Sequence, residues 1–174
     1  MIIWSKNQKL PQDSYNRVVK LIESSHKNKT QFYTSYDEES SLKNNPSPTF
    51  RRMYNILNPF YREIIIEMMK EVGLYHQTPY IYNMWVQMYN SNNTNSHAPH
   101  NHFADTRQVL SWVHFIQVPR QRCFYFLNSK EEKIYPRQNT GDFITYPSWA
   151  LHGVDFVKRK NFNRIIAAGN IQLN

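Results

Sequence analysis

The chain has 174 residues and a mass of 21.0 kDa, and it is 40% hydrophobic and 15% aromatic. This length and apolar content fit one folded domain and exclude a chain that is disordered throughout. The single cysteine, Cys123, excludes a disulfide framework and a cysteine-based zinc cluster. No apolar run approaches the roughly 18 residues of a membrane helix, and the first residues lack the features of a secretion signal. We therefore expect a soluble, cytoplasmic protein without a membrane partner.

The net charge is strongly positive, because 21 Lys and Arg residues stand against 13 Asp and Glu residues and give +8. A basic surface attracts anionic partners such as nucleic acids, carboxylated or phosphorylated small molecules and acidic proteins. The basic residues are scattered, however, and they lack the alternation with aromatic residues that a single-strand-binding platform shows. The charge therefore predicts a well-solvated surface, and a nucleic-acid partner stays open without being favoured.

Two helices are predicted in the first part of the chain. Residues 13–25 carry apolar side chains at helical spacing after an Asp-Ser cap. The polar, proline-containing stretch 27–50 predicts a loop. A second helix is predicted to start at Asn58-Pro59, with proline in its first turn, and to stop at Gly73.

From Pro79 onward the chain changes to short runs of aromatic and β-branched residues, separated by Pro, Asn and Gly. These runs predict strands at 80–90, 109–118, 123–128, 142–146 and 163–171. Helices followed by a series of strands indicate an α+β fold with the helices on one face of a β-sandwich or barrel. We expect a single domain over 1–174, mainly helical at 1–79 and with its β core at 80–174.

Three of the seven histidines lie within six residues, at His97, His100 and His102. Residues two apart on a strand project to the same face, so His100 and His102 can bind one ion together. His97, three residues before His100, is a further candidate for a metal ligand, but the interpretation as a loop histidine is favoured. A His-x-His pair is common by chance, and its meaning depends on the rest of the chain.

Two further residues complete the pattern. His152 ends the segment Gly-Asp-Phe-Ile-Thr-Tyr-Pro-Ser-Trp-Ala-Leu-His at 141–152, and Arg164 opens the last apolar strand twelve residues later. An arginine at the start of such a strand points its charge into the fold, where it needs an anionic partner. A carboxylate held by both arms of the guanidinium would meet that need. Together these residues predict a metal site that also binds a carboxylate.

Residues 80–174 resemble the double-stranded β-helix, a jelly-roll or cupin-like fold, of the Fe(II)- and 2-oxoglutarate-dependent oxygenases. More narrowly, they resemble a small branch that is related to prolyl hydroxylases and occurs in bacteria and their phages. The resemblance rests on four segments in order: the His-x-His at 100–102, the strand at 110–119, the Gly-Asp segment through His-Gly-Val at 141–154, and the Arg-Ile ending at 164–170. If the protein is viral, this resemblance places it in the host cytoplasm.

The resemblance implies roles for particular residues. His100 and His152 would bind Fe(II), and Arg164 would hold the distal carboxylate of 2-oxoglutarate. Tyr89 matches a tyrosine that related prolyl hydroxylases place near the iron and the co-substrate. The implied activity is that of a dioxygenase, which uses O2 to hydroxylate a C–H bond of a peptide, an amino acid or another small substrate and releases succinate and CO2.

The second metal ligand departs from the family pattern. Most of the superfamily has Asp or Glu two residues after the first histidine, which completes a triad of two histidines and one carboxylate. This chain has His102 there, so either three imidazoles bind the metal or Asp105 completes the usual triad. His102 is favoured because it shares a strand face with His100, whereas Asp105 would need a bulge or loop to reach the metal. His114 is left without an assigned role.

Two other classes of function fit parts of the pattern. A cupin-like protein can bind a metal through three histidines without using 2-oxoglutarate, and the same barrel can support a binding module with a degenerate site. Three histidines would also accept zinc, nickel or copper. Arg164 separates these alternatives, because a 2-oxoglutarate carboxylate explains it and the other two classes do not.

Overall fold

The computed structural model describes residues 1–25, 33–36, 46–76, 79–89, 96–103, 107–156 and 162–173. In these ranges the chain forms two helices, α1 (Gln12–Ser25) and α2 (Pro48–Glu71), which contact each other, and two antiparallel β-sheets. Neither helix combines the length and the apolar composition that crossing a bilayer requires.

Helix α1 lies where the sequence predicts it, with Val18 and Ile22 on its buried face. Helix α2 begins ten residues before the predicted start at Asn58-Pro59, so that start is wrong. Ser47 caps the helix, since its side chain accepts a hydrogen bond of 3.1 Å from the Phe50 N–H, and Pro48 supplies the proline of the first turn. Pro59 lies inside the helix. The helix continues through it because apolar residues on both sides of the proline stay buried in one stripe: Phe50, Met53, Leu57, Tyr61, Ile64, Ile65, Met68 and Met69.

The larger sheet has seven strands among the described residues and follows the order β1-β9-β6-β11-β4-β2, with β3 paired to β11. All of its pairs are antiparallel. Its strands are β1 (Trp4–Asn7), β2 (Tyr33–Thr34), β3 (Tyr80–Tyr82), β4 (Trp85–Tyr89), β6 (Gln108–Gln117), β9 (Asp142–Pro147) and β11 (Arg164–Leu173).

The smaller sheet has the order β5-β10-β7-β8. Its strands are β5 (His97–His100), β7 (Phe124–Leu127), β8 (Lys133–Ile134) and β10 (His152–Val154). Two facing antiparallel sheets with helices on the outside confirm the predicted α+β jelly roll.

Most of the predicted strands are present, but the strand expected at 80–90 is divided into β3 and β4. The break falls at Asn83, whose backbone N–H donates to the Asn170 carbonyl and whose side-chain oxygen accepts from the Asn170 N–H. Strand β2 lies inside the predicted 27–50 loop, of which residues 27–32 and 37–45 fall outside the described chain. The division into a helical part and a β core at residue 80 stays a prediction, although β1 and β2 from the first part join the larger sheet.

Two apolar layers lie on opposite faces of the larger sheet. On the helix side Tyr61 packs against Trp112 with ring centroids 4.9 Å apart, and Trp112 stacks on Phe143 at 5.1 Å. On the other side Val113 and Phe115 face the smaller sheet. Successive residues of a strand point to opposite faces, so β6 contributes to both layers.

His114, which the sequence left without a role, belongs to the helix layer. Its Nε2–H donates to the Gln8 carbonyl at 3.0 Å, and its Nδ1 accepts from the Tyr61 hydroxyl at 2.9 Å. A carbonyl can only accept, so this neutral tautomer satisfies both ring nitrogens. Burial lowers the pKa of His114 to about 4. The residue joins the N-terminal segment to helix α2 and does not line the cavity described below.

The neutral state of His114 predicts acid sensitivity. Its folded pKa is depressed, so its contribution to stability is complete above the unfolded pKa of about 6.5 and is lost as the pH falls toward 4. Between pH 7 and pH 5 this group should lower the free energy of unfolding by about 2 kcal/mol. Urea unfolding of His114→Gln should show a pH dependence smaller by that amount. An unchanged pH dependence would show that His114 is not buried as the neutral form.

Candidate metal centre

Three histidines converge between the two sheets. His100 ends β5 and His152 begins β10, and the two lie opposite each other in the antiparallel pair, with ring centroids 4.5 Å apart. One ring nitrogen from each of His100, His102 and His152 lies within 4.8 Å of the other two. The structure therefore brings together the three histidines that the sequence singled out, and one metal ion can contact all of them.

His102 reaches this position differently from the prediction, because β5 ends at His100 and His102 lies two residues beyond the strand. Two hydrogen bonds hold the His102 backbone in place of strand pairing. The His102 N–H donates to the Ser148 carbonyl at 2.9 Å, and the His102 carbonyl accepts from the Gln108 side chain. Ser148 in turn donates its hydroxyl to the Gln108 carbonyl. The Pro-Ser corner therefore orients His102 as well as leading to His152.

Glycine at 153 lets β10 pass between its neighbours. A Cβ atom there would lie 2.9 Å from the His97 carbonyl and 2.6 Å from the Tyr125 hydroxyl. Both distances are shorter than side-chain atoms tolerate, so the close approach requires glycine. The His-Gly pair at 152–153 thus places a ligand on a strand that only a residue without a side chain can follow.

Hydrogen bonds to backbone carbonyls orient two of the histidine rings. The Nδ1–H of His100 donates to the Ala98 carbonyl and the Nδ1–H of His152 donates to the Ala150 carbonyl, both at 2.9 Å. In each ring this hydrogen bond fixes the orientation and leaves Nε2 as the nitrogen that can bind a metal. Burial, with a smaller contribution from His100, lowers the pKa of His102 to about 4. Burial also lowers the pKa of His152 to about 3. Both are neutral at physiological pH.

Asp105, the alternative second ligand, lies outside the described residues, and its role stays a prediction. Among the described Asp, Glu, Cys and His side chains, only histidines belong to the group. Three imidazoles suit iron, zinc, nickel and copper alike, so the donor set alone does not select the metal.

The histidines face a cavity of about 350 Å³ between the sheets. One wall is aromatic. The Trp85 ring lies 5.5 Å from the His102 ring and 5.0 Å from Tyr36, which is 44% exposed at the cavity's edge. No Asp, Glu, Lys or Arg is among the described residues that line the cavity, which include Gln87, Val113, Phe124, Val154, Ile166 and Ala168.

Arg164 is buried next to this cavity, and its guanidinium has no hydrogen-bond partner among the described residues. The residue is 2% exposed, and none of its three guanidinium nitrogens makes a hydrogen bond to the described part of the chain. It lies opposite Tyr89 in the β11–β4 pair, with its guanidinium carbon 4.8 Å from the Tyr89 ring centroid. A buried cation left in this state is costly, so the arrangement points to an anion that binds there.

Tyr89 lines the cavity and donates its hydroxyl to the Gln87 side chain at 2.9 Å, and its role beside a metal and a co-substrate stays a prediction. His97, interpreted from the sequence as a loop histidine, is instead the first residue of β5. It pairs with Val154, lines the cavity and lies with Nδ1 3.4 Å from the Tyr89 hydroxyl. The loop interpretation of His97 is therefore wrong.

Several cavity residues were not found by sequence reasoning, and one of them carried a signal. Trp85, Gln87 and Tyr89 alternate along β4, so they share a face, and a glutamine in an otherwise apolar strand marks that face as functional. Tyr146 was part of the quoted Gly-Asp segment, but the sequence did not show that its hydroxyl lies beside His152.

No protein-family model matches the sequence, and no curated protein matches it significantly. The structure, in contrast, resembles solved structures. A prolyl-4-hydroxylase from Pseudomonas putida superimposes with a TM-score of 0.57 at 14% identity, over 98% of this chain and 88% of that chain. A viral collagen prolyl hydroxylase from Paramecium bursaria Chlorella virus-1, in complex with 2-oxoglutarate, gives 0.60 at 12%, over 97% and 96%.

A prolyl hydroxylase from Trichoplax adhaerens, in complex with a peptide fragment from hypoxia-inducible factor, gives a TM-score of 0.61 at 8% identity, over 98% of this chain and 82% of that chain. At these identities the likeness establishes the fold. The expected double-stranded β-helix of the 2-oxoglutarate oxygenases is confirmed.

The converging imidazoles predict metal binding that depends on His152. Replacement His152→Ala should weaken the binding of Co(II) or Zn(II) by about 100-fold or more, since losing even a residue that orients a ligand costs 10- to 100-fold. Isothermal titration of the metal-free protein measures this directly. The exposed His76 provides the matched control, and His76→Ala should bind like the parent. Equal affinities for all three proteins would contradict the site.

Proposed function

We propose that this chain is an Fe(II)- and 2-oxoglutarate-dependent dioxygenase that hydroxylates a C–H bond of a substrate and releases succinate and CO2. The observation that carries the proposal is the Arg164 guanidinium, which is buried beside the three-histidine cavity with no hydrogen bond to the described chain. A metal site alone does not need this cation, whereas a dicarboxylate that bridges metal and arginine does.

The residues of the site fit both Fe(II) and 2-oxoglutarate. His100, His102 and His152 would hold the iron, which accepts imidazole nitrogen, and a metal-bound imidazole contributes no charge. The metal's double positive charge is then left for the 2-oxoglutarate dianion to balance. Arg164 would take the distal carboxylate, and Tyr89, packed on the guanidinium, would keep it directed. When bound, Fe(II) and 2-oxoglutarate would supply the electrons that activate O2, and the keto acid would be oxidised to succinate and CO2.

The protein itself would position the substrate next to the metal and keep water away from the reacting groups. Apolar side chains from both sheets, among them Val113, Phe124 and Ile166, line much of the cavity and limit the access of bulk water to the metal site. The hydrogen bond from Tyr89 to Gln87 fixes two polar groups on the same wall. The aromatic wall from Tyr36 to Trp85 leads from the exposed edge to His102, and a substrate held there would meet the metal at a fixed distance.

A peptide or an amino-acid side chain is the favoured substrate. The half-exposed Tyr36 leaves the cavity open at one edge, and the Trichoplax enzyme, which has this fold, was solved with a peptide bound. A nucleic acid is less well supported, because the described lining of the cavity contains no Lys or Arg to contact a phosphate.

A metal protein with three histidines and no 2-oxoglutarate chemistry is the second candidate. It is favoured by the donor set, which contains no carboxylate among the described residues. It leaves Arg164 unexplained, so the arginine decides between the two.

Anaerobic addition of Fe(II) and 2-oxoglutarate should produce the visible metal-to-ligand charge-transfer band of a chelated keto acid. Replacement Arg164→Met should weaken 2-oxoglutarate binding by about tenfold to 100-fold, the worth of hydrogen bonds to a charged group, and leave metal binding intact. The exposed Arg122 gives the matched control, Arg122→Met, with parental affinity. Tight metal binding without a band in the parent would reject 2-oxoglutarate and favour the second candidate.

Although Arg164→Met should weaken the binding of 2-oxoglutarate, we expect it to stabilise the ligand-free protein. Without 2-oxoglutarate, Arg164→Met should raise the free energy of unfolding by about 1 kcal/mol or more, because methionine removes a buried and unpaired charge while keeping most of the volume. With metal already bound, adding 2-oxoglutarate should raise the melting temperature of the parent more than that of the variant. A less stable ligand-free variant would show that Arg164 has a structural partner.

A further inference from the structure

The Tyr146 hydroxyl lies inside the candidate metal site, and the proposed function gives it no role. Tyr146 is on β9, 2% exposed, and lines the cavity. Its hydroxyl lies 3.4 Å from Nε2 of His152, and this long contact is the hydrogen bond that it makes within the described chain. Aromatic rings surround the Tyr146 ring, with Phe126 at 5.0 Å and Phe124 at 6.1 Å.

The tautomer of His152 fixes the direction of this hydrogen bond. Nδ1 carries the proton, because it donates to the Ala150 carbonyl at 2.9 Å. Nε2 is then the acceptor, and the Tyr146 hydroxyl is the donor. Burial raises the pKa of Tyr146, so the phenol keeps its proton. In the metal-free protein the donor and the acceptor satisfy each other.

Metal binding removes this acceptor. A metal ion at His152 takes the one lone pair of Nε2, which can no longer accept a proton from Tyr146. The hydroxyl would then be a buried donor without a partner, at a cost that native structures rarely carry. The neighbouring Phe124 and Phe126 rings carry no oxygen or nitrogen, which favours, as the new acceptor, a group that enters the site with the metal.

We propose that Tyr146 is a binding residue for the co-substrate, donating its hydrogen bond to an oxygen atom of the keto-acid end of 2-oxoglutarate. This inference rests on the proposed function and deepens it. Tyr146 and Arg164 then hold opposite ends of the same molecule, the phenol at the metal and the guanidinium at the distal carboxylate. Three neutral imidazoles supply no negative charge, so the anion's oxygen is the strongest acceptor available to the phenol.

The replacement Tyr146→Phe gives two effects of opposite sign. It removes only the hydroxyl and keeps the ring between Phe124 and Phe126, so the fold is retained. Metal affinity should stay equal or increase, because binding no longer has to break the hydrogen bond to His152. The affinity for 2-oxoglutarate should fall by about tenfold to 100-fold, and the charge-transfer maximum should shift. A purely structural role would lower both affinities together.

Tyr125→Phe is the matched control. Tyr125 is 3% exposed against 2% for Tyr146, lies on β7 of the smaller sheet and does not line the cavity. The control should bind metal and 2-oxoglutarate like the parent and leave the absorption maximum unchanged. Pyruvate, which has the keto-acid end but no distal carboxylate, separates the two ends of the site. Tyr146→Phe should weaken pyruvate binding by the same factor, and Arg164→Met should leave it unchanged.

Each of the remaining outcomes would contradict the proposal, and the binding data distinguish them. If Tyr146→Phe binds 2-oxoglutarate like the parent, the hydroxyl does not contact it and the proposed function stands. If metal and 2-oxoglutarate affinities fall together, with a lower melting temperature of the metal-free variant, Tyr146 is structural. If only 2-oxoglutarate and not pyruvate is affected, Tyr146 acts at the distal end. If the parent shows no band at all, the proposed function fails and this inference fails with it.

Discussion

The buried guanidinium of Arg164 is the constraint on which the site depends. Removing a charge from water without a hydrogen-bond partner is among the most unfavourable arrangements in a folded protein. The four residues that follow Arg164 on β11 are apolar, and the strand forms the centre of the larger sheet, between β6 and β4. This packing tolerates the charge at the strand's first residue. An anion bound at Arg164 would restore the stability that the buried charge costs, which would link the folding of the strand to the function of the cavity.

The same strands support the helix layer and line the cavity, because successive side chains point to opposite faces of the sheet. On β11 Ile165 and Ala167 face the helices, whereas Ile166 and Ala168 face the cavity. On β6 the buried His114 joins the helix layer, and Val113 lines the cavity. Histidines on the two sides therefore differ in role. His114 has both ring nitrogens satisfied by protein groups, while His100 and His152 each have one nitrogen bonded to a carbonyl and the other facing the cavity.

Much of the site could be predicted from residue order, but its construction could not. His100, His102, His152 and Arg164 were identified because their residue types and order fit a metal with a carboxylate ligand. The position of His102 depends on two hydrogen bonds of its backbone, one to the Ser148 carbonyl, far along the chain, and one from the Gln108 side chain. No local sequence pattern predicts either of them. The start of α2 was misplaced because two prolines offer two helix starts, and the buried stripe that unites both segments depends on tertiary packing. The short strands β1, β2 and β8 have two to four residues, too few for periodicity to identify.

A crystal structure of the protein with Mn(II) in place of Fe(II) and with 2-oxoglutarate is the most direct test of the site. Anomalous scattering locates the metal, and the electron density shows which groups hold the co-substrate. We expect the metal on His100, His102 and His152, and the distal carboxylate on both arms of the Arg164 guanidinium. A metal bound away from His100 and His152, or a co-substrate that leaves Arg164 unpaired, would contradict the proposed oxygenase.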